Sequence, residues 1–407
     1  MSSFDWSKHM QGEEPPERPR ENLVVDPRNG EPIPLHVEHD ESQEAHDPEQ
    51  LRSVEDLHVD DLLAEAVKRG ASDLHLTVNL PPTARIDGDL VQLPYRLLDQ
   101  RDTNRLVYEI MSDEQVTRFE QTHEADFSYG VKSVGRFRVN VYMQRDSIGA
   151  AFRAIPAKIP SFEDLRLPPI LREVSKRTSG LILVTGPTGS GKSTTIACMI
   201  DDINRSRPCH IMTIEDPIEY LHFHQKAMVN QREVHHDTMS FQNALRAVLR
   251  EDPDVILVGE MRDLETITAA LTLAETGHLV FGTLHTRNAP QAVDRIIDVF
   301  PPDQQEQIRV LLGNTIECVV AQQLVPKLGG GRVAAIEIMI ATPAIRNLIR
   351  EGKTHQMYSV IETGTQYGMQ KMDRQLEDLV KNGYVSFDEA LMRAIDKESF
   401  TQSVRAA

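Results

Sequence analysis

A nine-residue stretch rich in glycine is the feature that most constrains how this 407-residue chain can fold. In order, it reads Gly186, Pro187, Thr188, Gly189, Ser190, Gly191, Lys192, Ser193 and Thr194. The stretch matches the phosphate-loop pattern of glycine, four residues, and then Gly-Lys-Ser or Gly-Lys-Thr. The apolar run 181–184 before it predicts a strand, and the residues from about 192 onward predict a helix. This is the context that a phosphate loop requires, so we expect an α/β domain with a nucleotide site.

The residue types in this loop fit the chemistry of phosphate binding. Glycines let the backbone curl so that its amide groups face phosphate oxygens, and the N-terminus of the helix adds partial positive charge. The Lys192 ammonium can reach the β- and γ-phosphates, and the Ser193 hydroxyl can bind Mg²⁺. A glycine- and serine-rich turn alone would mean little, because such turns are common. The motif together with its strand and helix predicts a nucleotide ligand with Mg²⁺.

Polar side chains follow three further runs that read as strands. Those runs are 211–214, 255–258 and 279–284. The first leads into an acidic segment that ends at Glu219, the second is followed by Glu260, and the third by His285. Ligands bind at the carboxyl ends of the strands in a doubly wound sheet. Each of these residues alone would be an ordinary helix cap or structural histidine, but four strand ends around one phosphate loop favour a catalytic site.

The pattern along the chain predicts two folded domains joined by a linker. The predicted divisions are a disordered acidic tail over 1–50, an α+β domain over 51–155, a linker with a short helix over 156–175, an α/β nucleotide-binding domain over 176–400 and a tail over 401–407. In the first domain we expect a helix over 54–69, a helical stretch over roughly 99–121, and an antiparallel sheet whose strand 135–144 alternates apolar and polar residues. In the second, short apolar runs between helical stretches predict a mostly parallel sheet covered on both faces. Beyond about 305 the pattern is mainly helical, apart from 332–339.

Charge and cysteine content argue against several classes of protein. Residues 1–50 hold 13 acidic against 4 basic residues and carry seven prolines, a composition that predicts disorder. The whole chain has a net charge of −18 and lacks the clustered basic face that is typical of nucleic-acid binding. The three cysteines, Cys198, Cys209 and Cys318, have no paired spacing, so we expect neither a disulfide framework nor a structural zinc site.

Four histidines form a loose cluster, and the hydropathy of the chain bears on its cellular location. The cluster consists of His222, His224, His235 and His236. It lacks a zinc-ligand framework, so we interpret its members as ordinary surface or core histidines rather than as metal ligands. No apolar run reaches about 18 residues, and the N-terminus lacks a signal-peptide pattern. We therefore expect a cytoplasmic protein that associates with a membrane only through a partner.

Five segments, taken in order, resemble the motifs of the secretion ATPase superfamily. Residues 186–194 resemble its Walker A motif, 214–219 its aspartate box, 257–260 its Walker B motif and 277–286 its histidine box. Within that superfamily, 344–351 is similar to the signature of the pilus retraction branch, the PilT-type ATPases. That signature segment consists of Ala344, Ile345, Arg346, Asn347, Leu348, Ile349, Arg350 and Glu351. The resemblance extends over nearly the whole chain after the acidic tail, and five motifs in one order make coincidence implausible.

The signature segment also has a local pattern of its own. Thr342 suits the N-cap and Pro343 the first position of a helix. We expect Ile345, Leu348 and Ile349 to share one face, with the charged and amide side chains mostly on the other. Composition alone describes an ordinary amphipathic surface helix, and only the resemblance marks it as important for retraction.

The resemblance implies a fold and roles for particular residues. It implies a RecA-like ATPase domain preceded by a smaller, PAS-like α+β domain, with ATP and Mg²⁺ bound. Glu219 would activate or position water, Glu260 would be its Walker B partner, and His285 would read the γ-phosphate. Four arginines of the N-terminal domain would approach the phosphates when the domains close, since arginine presents a rigid fork to phosphate. They are Arg138 and Arg153 and, in second place, Arg136 and Arg145.

The resemblance also implies an assembly and a cellular place. The expected function is a homohexameric motor that hydrolyses ATP to drive type IV pilus retraction and twitching motility. Its expected partner is the platform protein of the inner membrane, and it would act on the pilin fibre indirectly, from the cytoplasmic base of the pilus machine. A paralogous retraction ATPase is a further partner that the resemblance leaves open.

Three alternative functions fit the sequence less well. Extension and type II secretion ATPases carry a paired-cysteine zinc module, which three unpaired cysteines argue against. An accessory retraction subunit without its own catalysis would be favoured by an altered catalytic glutamate, yet Glu219 and Glu260 are both present. A nucleic-acid translocase is disfavoured by the missing basic face.

Overall fold

A computed structural model describes residues 52–86, 88–156 and 158–405. The acidic tail predicted over 1–50 lies outside these described residues. Over them, none of the helices combines the length and the apolar character that crossing a membrane demands.

The N-terminal part is an antiparallel sheet with helices packed on it. Its elements are α1 (Val59–Lys68), β1 (Asp73–Leu76), β2 (Thr83–Ile86), β3 (Asp89–Gln92), α2 (Gln100–Tyr108), α3 (Asp113–Thr122), β4 (Glu124–Val131), β5 (Gly135–Gln144) and β6 (Ser147–Ile155). The six strands pair antiparallel in the order β3-β2-β1-β6-β5-β4. The predicted antiparallel sheet and the alternation in β5 are confirmed, because Phe137, Val139 and Val141 are buried in the core of this part.

The helical stretch predicted over roughly 99–121 is confirmed, although a turn divides it. Two helices, α2 and α3, occupy this stretch. Ser112 begins the second one, since its side chain accepts a hydrogen bond from the Gln115 amide and the Gln115 side chain accepts one from the Ser112 amide. This reciprocal capping box gives the chain a helix start inside a run that reads as continuously helical.

The rest of the chain forms an α/β layer structure. Its elements are α4 (Phe162–Leu165), α5 (Pro169–Ser175), β7 (Gly180–Thr185), α6 (Lys192–Ser206), β8 (His210–Glu215), β9 (Met228–Glu233), α7 (Phe241–Val248), β10 (Val255–Val258), α8 (Leu264–Glu275), β11 (Leu279–Leu284), α9 (Ala289–Asp298), α10 (Gln305–Thr315), β12 (Ile316–Pro326), β13 (Arg332–Ile340), α11 (Pro343–Arg350), α12 (Met357–Thr363), α13 (Met372–Lys381), α14 (Phe387–Arg393) and α15 (Lys397–Arg405). The sheet order is β13-β12-β7-β11-β10-β8-β9, and every pair is parallel except β12 with β13. The predicted α/β fold with a mostly parallel sheet is confirmed.

The central strand β7 shows why these runs are wholly apolar. Leu181 and Leu183 belong to the core on one face of the sheet, whereas Ile182 and Val184 belong to the core on the other. All four are completely buried. A strand that is covered by helices on both faces has no solvent side, so its sequence does not alternate.

The C-terminal part is mainly helical, as expected, but it differs from the expectation in two places. The stretch beyond 305 contains the eleven-residue strand β12, which pairs with β7 on one side and β13 on the other. The tail expected over 401–407 is helical as far as Arg405, because α15 anchors the buried Phe400, which stacks on Phe387 with ring centroids 5.9 Å apart.

Candidate active site

The glycine-rich loop connects β7 to α6 at the carboxyl edge of the sheet, and two of its glycines are fixed by close contacts with β12. Gly186 has φ 148°, and a Cβ atom there would collide with the backbone oxygen of Gln322. Gly191 has φ 86°, and a Cβ atom there would lie 2.8 Å from Nε2 of Gln322. The loop can therefore take this shape only with glycine at both positions.

Gln322 of β12 holds the loop from below with both ends of its amide. Its Nε2 donates to the backbone oxygen of Ser190 at 2.7 Å, and its Oε1 accepts from the Thr195 hydroxyl at 2.7 Å. The side chain is almost fully buried. Sequence reasoning missed this residue because it missed β12, although the β-branched pair Val319 and Val320 was a signal for a strand there.

The basic and hydroxyl side chains of the loop lie at the start of α6. Nζ of Lys192 donates to the backbone oxygens of Gly186 at 2.8 Å and Pro187 at 3.3 Å. Burial lowers the pKa of Lys192, an effect that the nearby Glu260 carboxylate opposes. Ser193 is exposed in the first turn of the helix. The loop thus offers an ammonium, a hydroxyl and the amides of a helix start to one region of space.

Glu260 and His285 meet because β10 and β11 are parallel neighbours. Nε2 of His285 and Oε1 of Glu260 are 2.6 Å apart. Arg262, which sequence reasoning missed, also pairs with this carboxylate. Burial alone would raise the pKa of Glu260, but the hydrogen bonds from Arg262 and His285 outweigh it and hold that pKa below its ordinary range. Glu260 is therefore a carboxylate at neutral pH.

The acidic segment after β8 contains two glutamates in opposite environments. Glu215 is buried, and it accepts hydrogen bonds from the Thr213 hydroxyl at 2.6 Å and from the Gln231 amide at 3.2 Å. Burial raises the pKa of Glu215 against the effect of these donors. Glu219 is exposed, and its backbone amide donates to Oε2 of Glu215 at 3.4 Å. The inner glutamate supports the backbone, and the outer one is free to act on a ligand.

One cleft of about 870 Å³ gathers most of the predicted site. Its walls include the loop residues 188–194 together with Glu219, Glu260 and His285. Two arginines of the N-terminal sheet, Arg138 and Arg153, complete it from the other side. Those two arginines face each other across the β5–β6 pair, and Nε of Arg153 donates to Oδ1 of Asp73 at 2.9 Å.

Two of the four predicted arginines do not line this cleft. Arg136 points to the ATPase domain, but its Nη2 donates to Oε2 of the buried Glu233 at 2.9 Å. Arg145 lies in the turn between β5 and β6, at the opposite end of β5 from Arg136. This arrangement does not support the prediction that they contact phosphate, because Arg136 is paired with the Glu233 carboxylate and Arg145 lies in a turn that does not line the cleft.

The signature segment forms α11, away from the cleft. Ile345 and Ile349 are buried, as expected. Arg346 was expected on the polar face, yet it turns inward and only a fifth of its side chain is exposed. It donates to the backbone oxygens of Gly313 and Asn314 at 3.0 and 2.8 Å and to a Glu317 carboxylate oxygen at 2.6 Å. The guanidinium thereby caps the carboxyl end of α10 and ties α11 to the start of β12.

No group of three or more metal-binding side chains is found in the described ranges. Within the histidine cluster, burial lowers the pKa of His222 to about 4, and Nδ1 of His224 accepts from the Val229 amide at 3.0 Å. Burial of the His222 ring and the hydrogen bond of the His224 ring indicate that both contribute to the packing of the fold.

Comparisons with known proteins agree on one family. The sequence model of the family described as type II/IV secretion system protein matches residues 47–392. The type IV pilus retractation ATPase PilT of Pseudomonas aeruginosa is 53% identical over 344 residues, which are 84% of this chain and 100% of that protein. The twitching motility protein of Neisseria gonorrhoeae is 49% identical over 321 residues, 79% of this chain and 86% of that one. A crystal structure of the pilus retraction motor PilT with bound ADP matches with a TM-score of 0.81 at 51% identity, covering 85% of this chain and 99% of that one.

Proposed function

This chain belongs to the type II/IV secretion system protein family, and we propose that it is a hexameric motor that hydrolyses ATP to retract type IV pili and so drives twitching motility. It is an ATPase of the PilT type. The observation that carries the proposal is the single cleft lined by the phosphate loop, by the Glu260–His285 pair, by Glu219 and by two arginines. Relatives named for pilus retraction and twitching motility support the biological process.

The residues present fit a nucleotide with Mg²⁺. Magnesium prefers a few hard oxygen ligands and keeps several waters, which suits a site without a dedicated cluster of protein ligands. The Ser193 hydroxyl and the ionised Glu260 carboxylate are the oxygens that would hold it or its waters. Bound there, Mg²⁺ would neutralise part of the negative charge of the phosphates. Lys192 would leave its contacts with the loop backbone to bind the β- and γ-phosphates.

Two side chains divide the remaining tasks. Glu219 would orient the attacking water, because its carboxylate is exposed to the cleft while its backbone is supported by Glu215. His285 would contact the γ-phosphate, and its hydrogen bond with Glu260 would couple that contact to the Glu260 carboxylate. Hydrolysis needs no covalent intermediate, since positioning and electrostatic stabilisation supply most of the acceleration.

Arg138 and Arg153 would make hydrolysis depend on domain position. Both come from the N-terminal sheet, whereas the phosphate loop comes from the ATPase sheet. Their guanidinium groups can stabilise the charge that develops during phosphoryl transfer only when the two sheets are close enough. Chemistry and domain movement are thereby coupled within the motor.

The assembly is part of the proposal. A homohexamer would act at the cytoplasmic base of the pilus machine, on the platform protein of the inner membrane and through it on the pilin fibre. A paralogous retraction ATPase could join it there.

The test compares ATP turnover and pilus retraction in the wild type and in Glu219→Gln. We expect this variant to fold and bind ATP but to lose hydrolysis by about 100-fold or more, the range of a lost general base. Cells carrying it should bear pili that they cannot retract. Lys192→Ala is the binding control, and Glu306→Gln, an exposed glutamate on α10, is the matched control for the chemical change.

Two results would change the proposal. Retraction that persists without hydrolysis would make this chain an accessory subunit. Unchanged hydrolysis in Glu219→Gln would remove the role given to that residue.

A further inference from the structure

The loop that carries Glu219 is held by two buried carboxylates at two successive backbone amides. The Glu219 amide donates to Oε2 of Glu215 at 3.4 Å, and the Ile218 amide donates to Oε2 of Glu233 at 3.1 Å. Glu215 and Glu233 end the parallel neighbours β8 and β9 and lie directly opposite each other in register. Both are more than nine-tenths buried. The loop is therefore fixed to the ATPase sheet at the two positions nearest the candidate catalytic side chain.

The carboxylates of Glu215 and Glu233 differ in their hydrogen-bond partners. Glu215 is surrounded by neutral donors, the Thr213 hydroxyl and the Gln231 amide. Glu233 instead pairs with the guanidinium of Arg136, and the same Oε2 atom accepts from both Arg136 and the Ile218 amide. A buried carboxylate keeps its charge only with such a partner. The amide that positions the Glu219 loop thus shares one oxygen atom with a cation from the N-terminal domain.

Strand β5 links this ion pair to the cleft. Arg136 and Arg138 are two residues apart on β5, so their side chains leave the same face of the sheet about 7 Å apart. Arg138 lines the cleft, whereas Arg136 reaches Glu233. Any shift of β5 that brings Arg138 towards the phosphates must also move Arg136 relative to Glu233.

We propose that Glu233 is a positioning residue for Glu219 and that Arg136, through its ion pair with Glu233, makes that positioning depend on the docking of the N-terminal domain. When the domain is docked, Arg136 fixes the Glu233 carboxylate, which fixes the Ile218 amide and hence Glu219. When the domain moves away, Glu233 loses its cation and the loop loses one of its two anchors. The inference rests on the proposed function in one respect, because it takes Glu219 as the residue that orients water.

The test begins with turnover and nucleotide affinity. We expect Arg136→Met to lower kcat by about 10- to 100-fold, the effect of a small misplacement of a catalytic group, with little change in the Kd for fluorescent ADP. Arg136→Lys should restore part of the loss, because it keeps the charge. In a Glu219→Gln background, Arg136→Met should cause no further loss. The matched controls are Arg232→Met and Glu251→Gln, which break the 3.0 Å pair between Arg232 of β9 and Glu251 of the segment before β10 and should leave kcat unchanged.

A second measurement does not depend on hydrolysis. Hydrogen exchange of the backbone amides in 216–220 should be faster in Arg136→Met than in the wild type and in both controls. The double variant Arg136→Met with Glu233→Gln removes both charges together, so it folds without a lone buried carboxylate and should show the same faster exchange.

Three outcomes would overturn the inference. The first is unchanged exchange in 216–220 in both the single and the double variant. The second is an equal loss of kcat in Arg136→Met and Arg232→Met, which would indicate a general effect on stability. The third is a parallel loss of ADP affinity in Arg136→Met, which would make Arg136 a phosphate ligand. A wild type without ATP turnover would defeat the proposed function alone, since the exchange measurement still decides the coupling.

Discussion

Gln322 shows how one buried side chain can shape a functional loop that is 132 residues away in the sequence. Its amide group is used at both ends, by Ser190 and Thr195, and its backbone oxygen lies against Gly186. The phosphate loop is therefore preorganised by the strand beneath it. Preorganised donors are worth more than flexible ones, because no reorganisation is needed when the ligand arrives.

We expect Gln322→Met to weaken both folding and nucleotide binding. The change keeps the size of the side chain but leaves the Ser190 oxygen and the Thr195 hydroxyl without their buried partner, which costs about 1–3 kcal/mol for each group. Urea denaturation and an ADP titration would measure the two effects. Gln323→Met, the same change at the next position of β12, is the control. Unaltered ADP affinity in Gln322→Met would contradict the preorganisation argument.

Glu337 of β13 predicts a dependence of stability on pH. It is completely buried, and it accepts a hydrogen bond from the Ala289 amide at 2.8 Å, at the start of α9. Burial raises the pKa of Glu337 from 4.5 to about 6. Between these values the folded protein binds the proton more tightly than the unfolded chain does. The Glu337 contribution to stability is thus fully present below pH 4.5 and is lost as pH rises through about 6.

Glu337→Gln mimics the protonated form and should remove this dependence. At pH 7.5 we expect the variant to be more stable than the wild type by about 2 kcal/mol, the free-energy equivalent of raising the pKa of Glu337 from 4.5 to about 6. At pH 4.5 the two should have similar stability. Denaturant titrations at both pH values would measure this, with Glu306→Gln as an exposed control. A variant that is less stable at pH 7.5 would show that the Ala289 contact needs a full charge.

At the scale of elements, α11 is held by its buried Ile345 and Ile349 and, among its polar side chains, chiefly by Arg346. This side chain caps α10 and pairs with Glu317, whereas Arg350, one turn further on, makes a single contact of 3.2 Å with the Asn314 side chain. We expect Arg346→Met to lower the free energy of unfolding by about 2–4 kcal/mol, since it removes the donor to two carbonyls and leaves the part-buried Glu317 with only its 3.5 Å pairing to Arg177. Arg350→Met should cost about 0.5 kcal/mol or less. Equal losses in thermal or chemical denaturation would contradict this difference.

The elements that sequence could predict are those whose pattern is decided locally. The phosphate loop, β7 and α6 are contiguous, and the strands β10 and β11 are short apolar runs with clear ends. Strand β12 was missed because its pairing partners, not its own pattern, determine its conformation. It is buried on both faces between β7 and β13, so it does not alternate.

The residues of the site also divide into those that the local sequence pattern reveals and those that it does not. Lys192, Glu260 and His285 follow strand ends, and their positions could be inferred from the topology of a parallel sheet. Gln322 and Glu233 act from neighbouring strands, and they carry no motif of their own. Only the three-dimensional pairing of strands reveals them.

At the scale of the whole molecule, the two ends of the chain should behave differently on truncation. The Pseudomonas aeruginosa relative is covered along its full length by 84% of this chain, so its fold is complete without a counterpart to the remaining part. We expect deletion of residues 1–50 to change ATP turnover by about twofold or less, the size of a typical surface effect.

A stop after residue 396 removes α15 and the buried Phe400, and should lower stability by about 3–5 kcal/mol. Thermal denaturation and steady-state turnover would measure both, and a stable C-terminal truncation would contradict the expectation.

The contact between Gln322 and the phosphate loop also has a consequence for biosynthesis. During translation, Ser190 of the loop is synthesised 132 residues before Gln322, the glutamine that supports the loop. A nascent chain in which residues 186–194 have emerged from the ribosome contains the complete motif, but it still lacks strand β12, which gives the motif its shape. Nucleotide should therefore be captured late in translation, after β12 has emerged, so that incomplete chains do not sequester ATP.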